Sequence, residues 1–336
     1  MDTTKLLNTL IARKNLSEKE AGEFLEGIMS GTVSAVQAGA ILTALRMKGE
    51  SAPEVLGFIK TMRANMLTIS APNAMDIVGT GGDGTGTFNI STASAFVARG
   101  AGVKIAKHGN RAASSKCGSA DVLEALGVKI ELTPTQAEEV FKNAGMVFLF
   151  APLYHPSMKQ VVLVRKELKI RTIFNVLGPF SNPASTKRQL VGVPNAELAK
   201  KLSEVAQGLG YEHLLIITSD DGMDEASISA KTKVFEISRK SSKNYIIDPA
   251  KLGFKRAPAA ALRGGTAEEN AGIIRSILSG EKGPKRDIVV LNAGLALYAA
   301  SAAKTTKEGV ALAERALDSG SARAALESLI KNSNAV

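Results

Sequence analysis

Residues 76–127 read DIVGTGGDGTGTFNISTASAFVARGAGVKIAKHGNRAASSKCGSADVLEALG, and the rest of the chain is best read outward from them. A short apolar run, Met75 to Val78, passes into a glycine-dense turn, Gly79 to Gly86. The polar cluster Asn89-Ile90-Ser91-Thr92 then leads into an apolar run that stops at Gly100. A second β-like run, Val103 to Ala106, ends in Lys107-His108-Gly109-Asn110-Arg111 and Ser114-Ser115, and another helix starts near Ser119. Strand, glycine loop, helix start, strand, basic loop, helix start: each junction favours an anion. The segment is expected to hold a phosphorylated substrate. Gly79-Thr80-Gly81-Gly82-Asp83-Gly84-Thr85-Gly86-Thr87 lacks the Gly-Lys-Ser/Thr of a P-loop and the spacing of a dinucleotide fingerprint. From the glycines alone, a tight structural turn reads as well as a phosphate cradle. Asn89, Ser91 and Thr92 at a helix start, with Lys107, Asn110, Arg111, Ser114, Ser115 and Ser119 beyond the next strand, favour the cradle.

The 336 residues suffice for a large domain plus a smaller one, and 45% hydrophobic residues supply a sizeable core. The 42 Lys+Arg against 32 Asp+Glu leave +10, which reads either as a solubilising surplus or as attraction for an anionic metabolite or nucleic acid. With 4% aromatics and no Trp, stacking platforms for single strands are poorly supplied. One cysteine excludes an internal disulfide, and three histidines leave little room for a zinc centre. No basic, apolar leader opens the chain and no run approaches the length of a bilayer span, so the expectation is a cytoplasmic protein with no membrane partner.

Up to about Met66 the pattern is helical. Ser17-Glu18-Lys19-Glu20 is a capping box, Ser34 to Met47 carries Val36, Ala40, Ile41, Ala44 and Leu45, and Ser51-Ala52-Pro53-Glu54 caps a further helix. Three such short helices bury little alone and are expected to pack on each other and on a main domain or a second subunit. Ser70 to Asn73 reads as a linker. From Met75 on, strands alternate with helices: Asp76–Val78, Val103–Ala106, Val128–Glu131, Val147–Phe150, Leu190–Val193 and Leu214–Thr218. Thr133 to Gln136 caps a helix running to Asn143. Residues 152–183 break the rhythm and are expected to run as helices and a long turn back over the mouth of the sheet, packing with the N-terminal helices. Lys233 to Asp248 reads as a hairpin turning through Arg239-Lys240-Ser241-Ser242-Lys243, and the chain ends in helices.

The run GTGGDGTGTFNIST, then KHGNRAASS and GSADVLEALG, resembles the signature of the anthranilate phosphoribosyltransferases of tryptophan biosynthesis. The likeness extends to Ala44–Ser51, Tyr154-His155-Pro156, Val164–Leu168, Arg171–Pro179 and Asp221–Ser227, and it is weakest after about Asp248. It implies an α/β fold of the nucleoside phosphorylase/phosphoribosyltransferase type. A small N-terminal helical domain (1–70, completed by helices around 155–182) would precede a catalytic domain (74–336) with a mostly parallel sheet. It also implies transfer of phosphoribosyl from phosphoribosyl pyrophosphate to anthranilate. Contacts to phosphoribosyl pyrophosphate would come from Gly79, Gly82, Asp83, Thr87, Asn89, Ile90, Ser91 and Thr92. Lys107, His108, Gly109, Asn110, Arg111, Ala112, Ala113, Ser114, Ser115 and Ser119 would complete that set. Anthranilate would meet Gly79, Asn110 and Arg165, with His108, His155 and Pro179 lining its approach. Ser91, Asp224 and Glu225 would hold a pair of Mg2+ ions, and the enzyme would be a homodimer through its helical domain. Phe180 and Cys117 depart from the family's usual Leu and Ser without touching a proposed ligand.

The chemistry of the residues agrees with these roles. Adjacent hard carboxylates at a strand exit suit Mg2+, although a bare acidic dipeptide is ordinarily a solvated turn. The Arg165 fork matches a carboxylate. The aryl amine of anthranilate is neutral at pH 7 and needs no general base, which makes His108, with Asn110 and Arg165, a positioning group rather than a catalytic one. Two other readings stay open: a pyrimidine nucleoside phosphorylase, and a nucleic-acid-binding relative of the same fold suggested by the charge. No continuous basic stripe supports the second.

Overall fold

Short helices need their first free N–H groups satisfied, and the N-terminal part of the chain does this with its own side chains. The computed structural model describes residues 1–112, 115–239 and 241–336. Ala113, Ser114 and Lys240 of the sequence reading lie outside the described residues. Helix α1 (Thr3–Ile11) is capped by Asp2, whose Oδ1 accepts the Lys5 N–H at 3.0 Å. Ser17 opens α2 (Glu18–Met29): its Oγ accepts the Glu20 N–H at 3.2 Å while the Glu20 carboxylate takes the Ser17 N–H at 2.9 Å. Ser34 and Gln37 do the same for α3 (Ala35–Lys48), and Pro53 sits in the first turn of α4 (Ala52–Ala64). The α3 helix turns Ala38, Ile41, Leu42 and Leu45 inward and leaves Val36 83% exposed, so the inward face is rotated from the one its sequence suggests.

These helices form one compact unit, Met1–Thr68, together with a returning segment, Tyr154–Pro183. The returning helices Lys159–Leu168 and Phe174–Leu177 complete its core: the Phe58 ring lies 6.1 Å from Phe24 and 5.6 Å, edge-on, from Phe174. Buried Glu54 is fully engaged by the Leu16 N–H at 2.8 Å, the Ser51 N–H at 2.7 Å and Lys48 Nζ at 2.9 Å. The two chain segments are tied by the Leu67 N–H donating to Tyr154 O at 2.8 Å and Arg63 Nε to Phe180 O at 2.6 Å.

The second unit, Ile69–Leu153 and Ala184–Val336, is built on a sheet. Its strands are β1 (Met75–Gly79), β2 (Ile105–Gly109), β3 (Met146–Phe150), β4 (Arg188–Gly192), β5 (His213–Ser219), β6 (Thr232–Ser238) and β7 (Ser242–Ile247). Among the described residues their order is β3-β2-β1-β4-β5-β6-β7, parallel through β5 and antiparallel across β6 and β7. The chain steps outward from β1 to β2 and β3, then returns to the other side of β1 with β4. That reversal opens a crevice at the carboxyl ends of β1 and β4, where Gly79 pairs with Gly192. Helices α5 (Ile90–Gly100), α6 (Ser119–Ala125) and α7 (Pro134–Ala144) follow the first strands, and the helix Pro284–Ala299 is buried along most of its length. Among the described residues no helix is long and apolar enough to cross a membrane.

Two local expectations are corrected. Val128 to Glu131 alternates as expected, with Val128, Ile130 and Leu132 buried, yet among the described residues it joins no strand. Its backbone is met by the C-terminal helix Ser321–Asn334 instead: the Lys129 N–H donates to Ser333 Oγ at 3.2 Å and Asn334 Nδ2 to Gly127 O at 2.9 Å. Alternation reports a half-buried extended segment, not the partner that satisfies it. The second strand begins at Ile105 and runs through Gly109, so Lys107 and His108 belong to the sheet and not to a basic loop after it.

Candidate active site

The crevice between β1 and β4 is shaped by what it excludes. A Cβ on Gly192 would collide with the backbone carbonyl of Asp224, and one on Gly79 with the Asp224 carboxylate. The Thr80 N–H donates to Gly192 O at 2.9 Å, fastening the two strand ends together. Beyond β1, Gly81, Gly82, Gly84 and Gly86 all take positive φ, between 67° and 74°, which glycine adopts without steric cost. The loop is thereby folded onto the segment carrying Asp224, and the Gly81 N–H donates to Asp224 Oδ2 at 2.8 Å. Asp83 is turned inward as well. Its carboxylate accepts from the Thr85 N–H at 3.2 Å and from the Asp224 N–H at 3.5 Å.

Asn89 occupies the cap position of α5 but makes no capping hydrogen bond. Its amide is used sideways: Nδ2 donates to Cys117 O at 3.3 Å, and Oδ1 accepts from Cys117 Sγ at 3.3 Å and Asn270 Nδ2 at 3.0 Å. The start of α5 faces an acid instead, since the Ser91 backbone lies close enough to the Glu225 carboxylate to help hold its charge. Lys107, buried in β2, donates from Nζ to Ile77 O and to Ser91 Oγ at 3.3 Å. The hydroxyl oxygens of Thr80 and Thr92 are buried and meet no hydrogen-bond partner among the described residues.

Glu225 and Asp224 are both buried side by side, and the consequence is electrostatic. Burial, then the charge of Asp83, pushes the Asp224 carboxyl up to about 7. Burial and the neighbouring Asp224 drive Glu225 well above the usual carboxylate range, with Lys107 opposing. Lys107 is pushed down by burial and held up by Asp76 and Glu225. Three acids, Asp83, Asp224 and Glu225, thus crowd one another, with Lys107 set against Glu225, in a place that gains from further positive charge.

The second basic element is arranged differently. The Asn110 carbonyl accepts from the Ala120 N–H at 3.2 Å and Ser119 Oγ at 3.3 Å, so the start of α6 is pinned to the end of β2. A Cβ on Gly109 would collide with Ser119 Oγ, and one on Gly118 with the backbone at Asn110–Ala112. Arg111 is engaged by Asp121 and Glu124 and lies 5.4 Å from the Phe150 ring centre. Asp121 also takes the Ala112 N–H at 2.9 Å and the Gly118 N–H at 2.8 Å. Ser115 Oγ donates to Cys117 O at 3.5 Å. The glycine loop, the start of α5, Lys107 and Asp224-Glu225 are therefore brought together directly, while Arg111 is committed to its own helix.

The remaining sequence-derived residues belong to the helical unit. Arg165 is half-buried with its guanidinium 5.8 Å from the Phe174 ring centre, and burial lowers its pKa from the usual range. His155 is buried, which pushes its imidazole down to about 4 against a hydrogen bond with the Ser181 backbone. Pro179 is buried in the short turn Gly178–Phe180.

Several supporting residues escape sequence reading. Asn292, buried on the helix Pro284–Ala299, takes the Ala226 N–H at 2.9 Å and returns a bond to Ala226 O at 2.9 Å. Ser219 Oγ donates to Glu225 O at 2.6 Å and accepts the Ser227 N–H at 3.0 Å. Asp76, buried under Lys107, accepts from the His108 N–H at 3.4 Å and Gln189 Nε2 at 3.5 Å. Gly192 had a readable signal, a glycine closing a strand. Asn270 and Asn292 had none, since their partners are distant in sequence.

Comparison with known proteins agrees with this arrangement. Residues 4–66 match the glycosyl transferase family, helical bundle domain, and residues 71–323 the glycosyl transferase family, a/b domain. The chain is 49% identical to the anthranilate phosphoribosyltransferase of Thermomicrobium roseum over 98% of its own length and 97% of that protein. It superposes on the crystal structure of the Thermus thermophilus enzyme with a TM-score of 0.91 and 42% identity, covering 98% of this chain and 99% of that one. The Saccharomyces cerevisiae enzyme in complex with PRPP and Mg gives a TM-score of 0.92 at 29% identity, covering 99% and 98%. The chain belongs to the anthranilate phosphoribosyltransferases, within the glycosyl transferase family that joins a helical bundle domain to an a/b domain.

Proposed function

We propose that the protein transfers the phosphoribosyl group of phosphoribosyl pyrophosphate to anthranilate, giving N-(5-phosphoribosyl)anthranilate and pyrophosphate in tryptophan biosynthesis. The observation that carries this reading is the buried Asp224-Glu225 pair folded against the glycine loop, the start of α5 and Lys107. The bond from the ribose anomeric carbon to the pyrophosphate oxygen breaks, its electron pair leaving with pyrophosphate. The amine nitrogen of anthranilate supplies the electron pair of the new C–N bond and then loses a proton. The glycine-loop N–H groups, the Thr80 and Thr92 hydroxyls and Lys107 are proposed to hold the donor's phosphates.

The carboxylate pair fits Mg2+. Two adjacent oxygen ligands whose charge is disfavoured by burial and mutual repulsion, with the Ser91 hydroxyl nearby, suit a hard cation that completes its shell with water and phosphate oxygens. We assign Ser91, Asp224 and Glu225 to a pair of Mg2+ ions, which when bound would offset the charge of the departing pyrophosphate. Gly79, Gly82, Asp83, Thr87 and Asn89–Thr92 are assigned to the donor, with the segment from Lys107 to Ser115 and Ser119. Arg165 is assigned to the anthranilate carboxylate, with Gly79, Asn110, His108, His155 and Pro179 lining its approach. His108 serves to position, because a neutral aryl amine attacks without prior deprotonation.

The domain boundaries proposed are a helical domain over 1–70, completed around 155–182, and a catalytic domain over 74–336. A cytoplasmic location suits the single cysteine and phosphorylated substrates. A homodimer through the helical unit is supported by exposed Val36 and Met47 on α3 and Leu163 on the helix Lys159–Leu168. Sedimentation equilibrium should give twice the chain mass, and a monomer at working concentration would refute the dimer. For the activity, the protein is mixed with phosphoribosyl pyrophosphate, Mg2+ and anthranilate, and anthranilate fluorescence is followed. Progressive loss of signal is expected. A flat trace at high enzyme concentration, or release of free base from a pyrimidine nucleoside and phosphate, would overturn the reading.

A further inference from the structure

The donor residues Thr87 and Asn89 are braced by a stretch beyond Asp248, where the sequence resemblance is weakest. Thr87 pairs with Arg263 in an antiparallel bridge, flanked by the Phe88 N–H donating to Leu262 O at 3.2 Å and the Gly264 N–H to Gly86 O at 2.9 Å. The approach is closed to a larger residue: a Cβ on Gly264 would lie 2.6 Å from Phe88 Cα and 2.7 Å from Asn270 Oδ1. Asn270 stands one turn into the helix Ala267–Leu278 and is 2% exposed. Its side chain is not needed to start that helix, because Thr266 and Glu269 cap it reciprocally. The Thr266 N–H donates to Glu269 Oε2 at 2.7 Å and the Glu269 N–H to Thr266 Oγ1 at 3.3 Å.

Both ends of the Asn270 carboxamide are directed at the donor loop. Oδ1 accepts the Gly265 N–H at 2.8 Å, and Nδ2 donates to Asn89 Oδ1 at 3.0 Å. Asn89 Nδ2 in turn donates to Cys117 O at 3.3 Å. A half-turn exchanges the oxygen and nitrogen of a carboxamide, so its neighbours decide which way it faces. Here the relay ends on both sides in backbone groups with one role each: the Gly265 N–H can only donate and the Cys117 carbonyl can only accept. The first turns the Asn270 nitrogen toward Asn89. That sets the Asn89 oxygen toward Asn270 and its nitrogen toward Cys117. One Asn89 Nδ2 hydrogen is then taken by Cys117 O, and the second is left to donate, the polarity that a phosphate or ribose oxygen requires. Without Asn270, Asn89 Oδ1 would keep only Cys117 Sγ at 3.3 Å, a weak donor.

We propose that Asn270 is a positioning residue for phosphoribosyl pyrophosphate: it fixes the orientation of the Asn89 carboxamide and so sets affinity for the donor without touching it. The inference rests on the assignment of Asn89 to the donor made above.

Isothermal titration calorimetry of the whole protein with phosphoribosyl pyrophosphate and Mg2+, without anthranilate, reads the effect directly. Wild type, Asn270→Asp, Asn89→Ala and the double variant are compared at pH 8. In Asn270→Asp the ionised carboxylate still accepts the Gly265 N–H but has no hydrogen to give Asn89. Donor affinity should fall about tenfold, as loss of a buried hydrogen bond to a binding group does. In the Asn89→Ala background the same change should cost less than about twofold, because the group it acts through is gone. Steady-state kinetics should show the KM for phosphoribosyl pyrophosphate raised in step, with kcat and the KM for anthranilate unaltered, whereas partial misfolding would lower kcat instead. Asn270→Ala should weaken donor binding likewise, and where Asn270→Asp fails to fold it carries the test. Wild type that binds no phosphoribosyl pyrophosphate would overturn the proposed function and this inference together. Wild type that binds while Asn270→Asp binds as tightly, or losses that add in the double variant, would overturn the inference alone.

Discussion

Replacing Gly192 by alanine tests how the two halves of the proposed metal and donor site are joined. The added Cβ would sit against the carbonyl oxygen of Asp224 and 2.5 Å from its carbonyl carbon. An ordinary contact needs about 3.4 Å or more, and the carbonyl oxygen lies nearer still than the carbon, so the peptide at Asp224 must retreat by about 2 Å. A rotamer change cannot relieve a clash with backbone. The residues that follow it in the chain are themselves fastened, by Ser219 Oγ on Glu225 O and by Asn292 on both backbone groups of Ala226. Displacement therefore carries both carboxylates away from the Gly81 N–H and Ser91. A shift of only about 1 Å in a catalytic constellation already costs roughly 100-fold, so a loss of at least that size in kcat/KM is expected. The overpacking itself should cost about 1–3 kcal/mol of stability, leaving the protein folded. Anthranilate fluorescence loss across a Mg2+ titration reads the first effect and urea unfolding the second. Gly79→Ala is the comparison, since its Cβ meets a side chain, the Asp224 carboxylate with Cγ at 3.1 Å, and not backbone, and should destabilise less. A Gly192→Ala enzyme with wild-type kcat/KM and Mg2+ dependence would refute the argument.

Two further outcomes are expected. Arg165→Ala should raise the KM for anthranilate by tenfold or more, with the KM for phosphoribosyl pyrophosphate unchanged, and Arg165→Lys should rescue it only in part because an ammonium cannot pair both carboxylate oxygens. Steady-state kinetics with each substrate varied separates these, and an unaltered anthranilate KM would sink the assignment. His155 is held neutral by burial, with its folded value depressed to about 4 from an ordinary 6.5. Between those values the unfolded chain binds the proton that the folded one refuses, so stability falls as pH drops from about 6.5 toward 4, by a total on the order of 3 kcal/mol. Urea unfolding of wild type and His155→Gln at pH 7 and pH 4.5 checks this. Equal pH slopes in the two proteins would show that His155 is not the group responsible.

What could be read from the sequence, and what could not, follows the range of the interactions involved. Ser17-Glu20 and Thr133-Gln136 pair across three residues, and both caps form as the spacing requires, because the partners lie within one helical turn. The glycine loop was legible for the same reason: its four positive-φ glycines encode their own turn. Asn89 shows where this stops. Its position at a helix start suggests a local cap, but its carboxamide instead joins Cys117, 28 residues on, to Asn270, 181 residues on. Local propensity offers a cap at little energetic advantage over a buried pairing, and the pairing that satisfies more buried groups prevails. Lys107 is the sharper instance. Read beside Asn110 and Arg111 it looks like one of a row of loop donors. One strand register separates them: Lys107 is inside the sheet, under Ser91 and Glu225, while Arg111 turns back to Asp121 and Glu124. A run of basic residues announces that anions are near. Which cation lies buried beside the acids and which braces a helix is decided by where the strand ends.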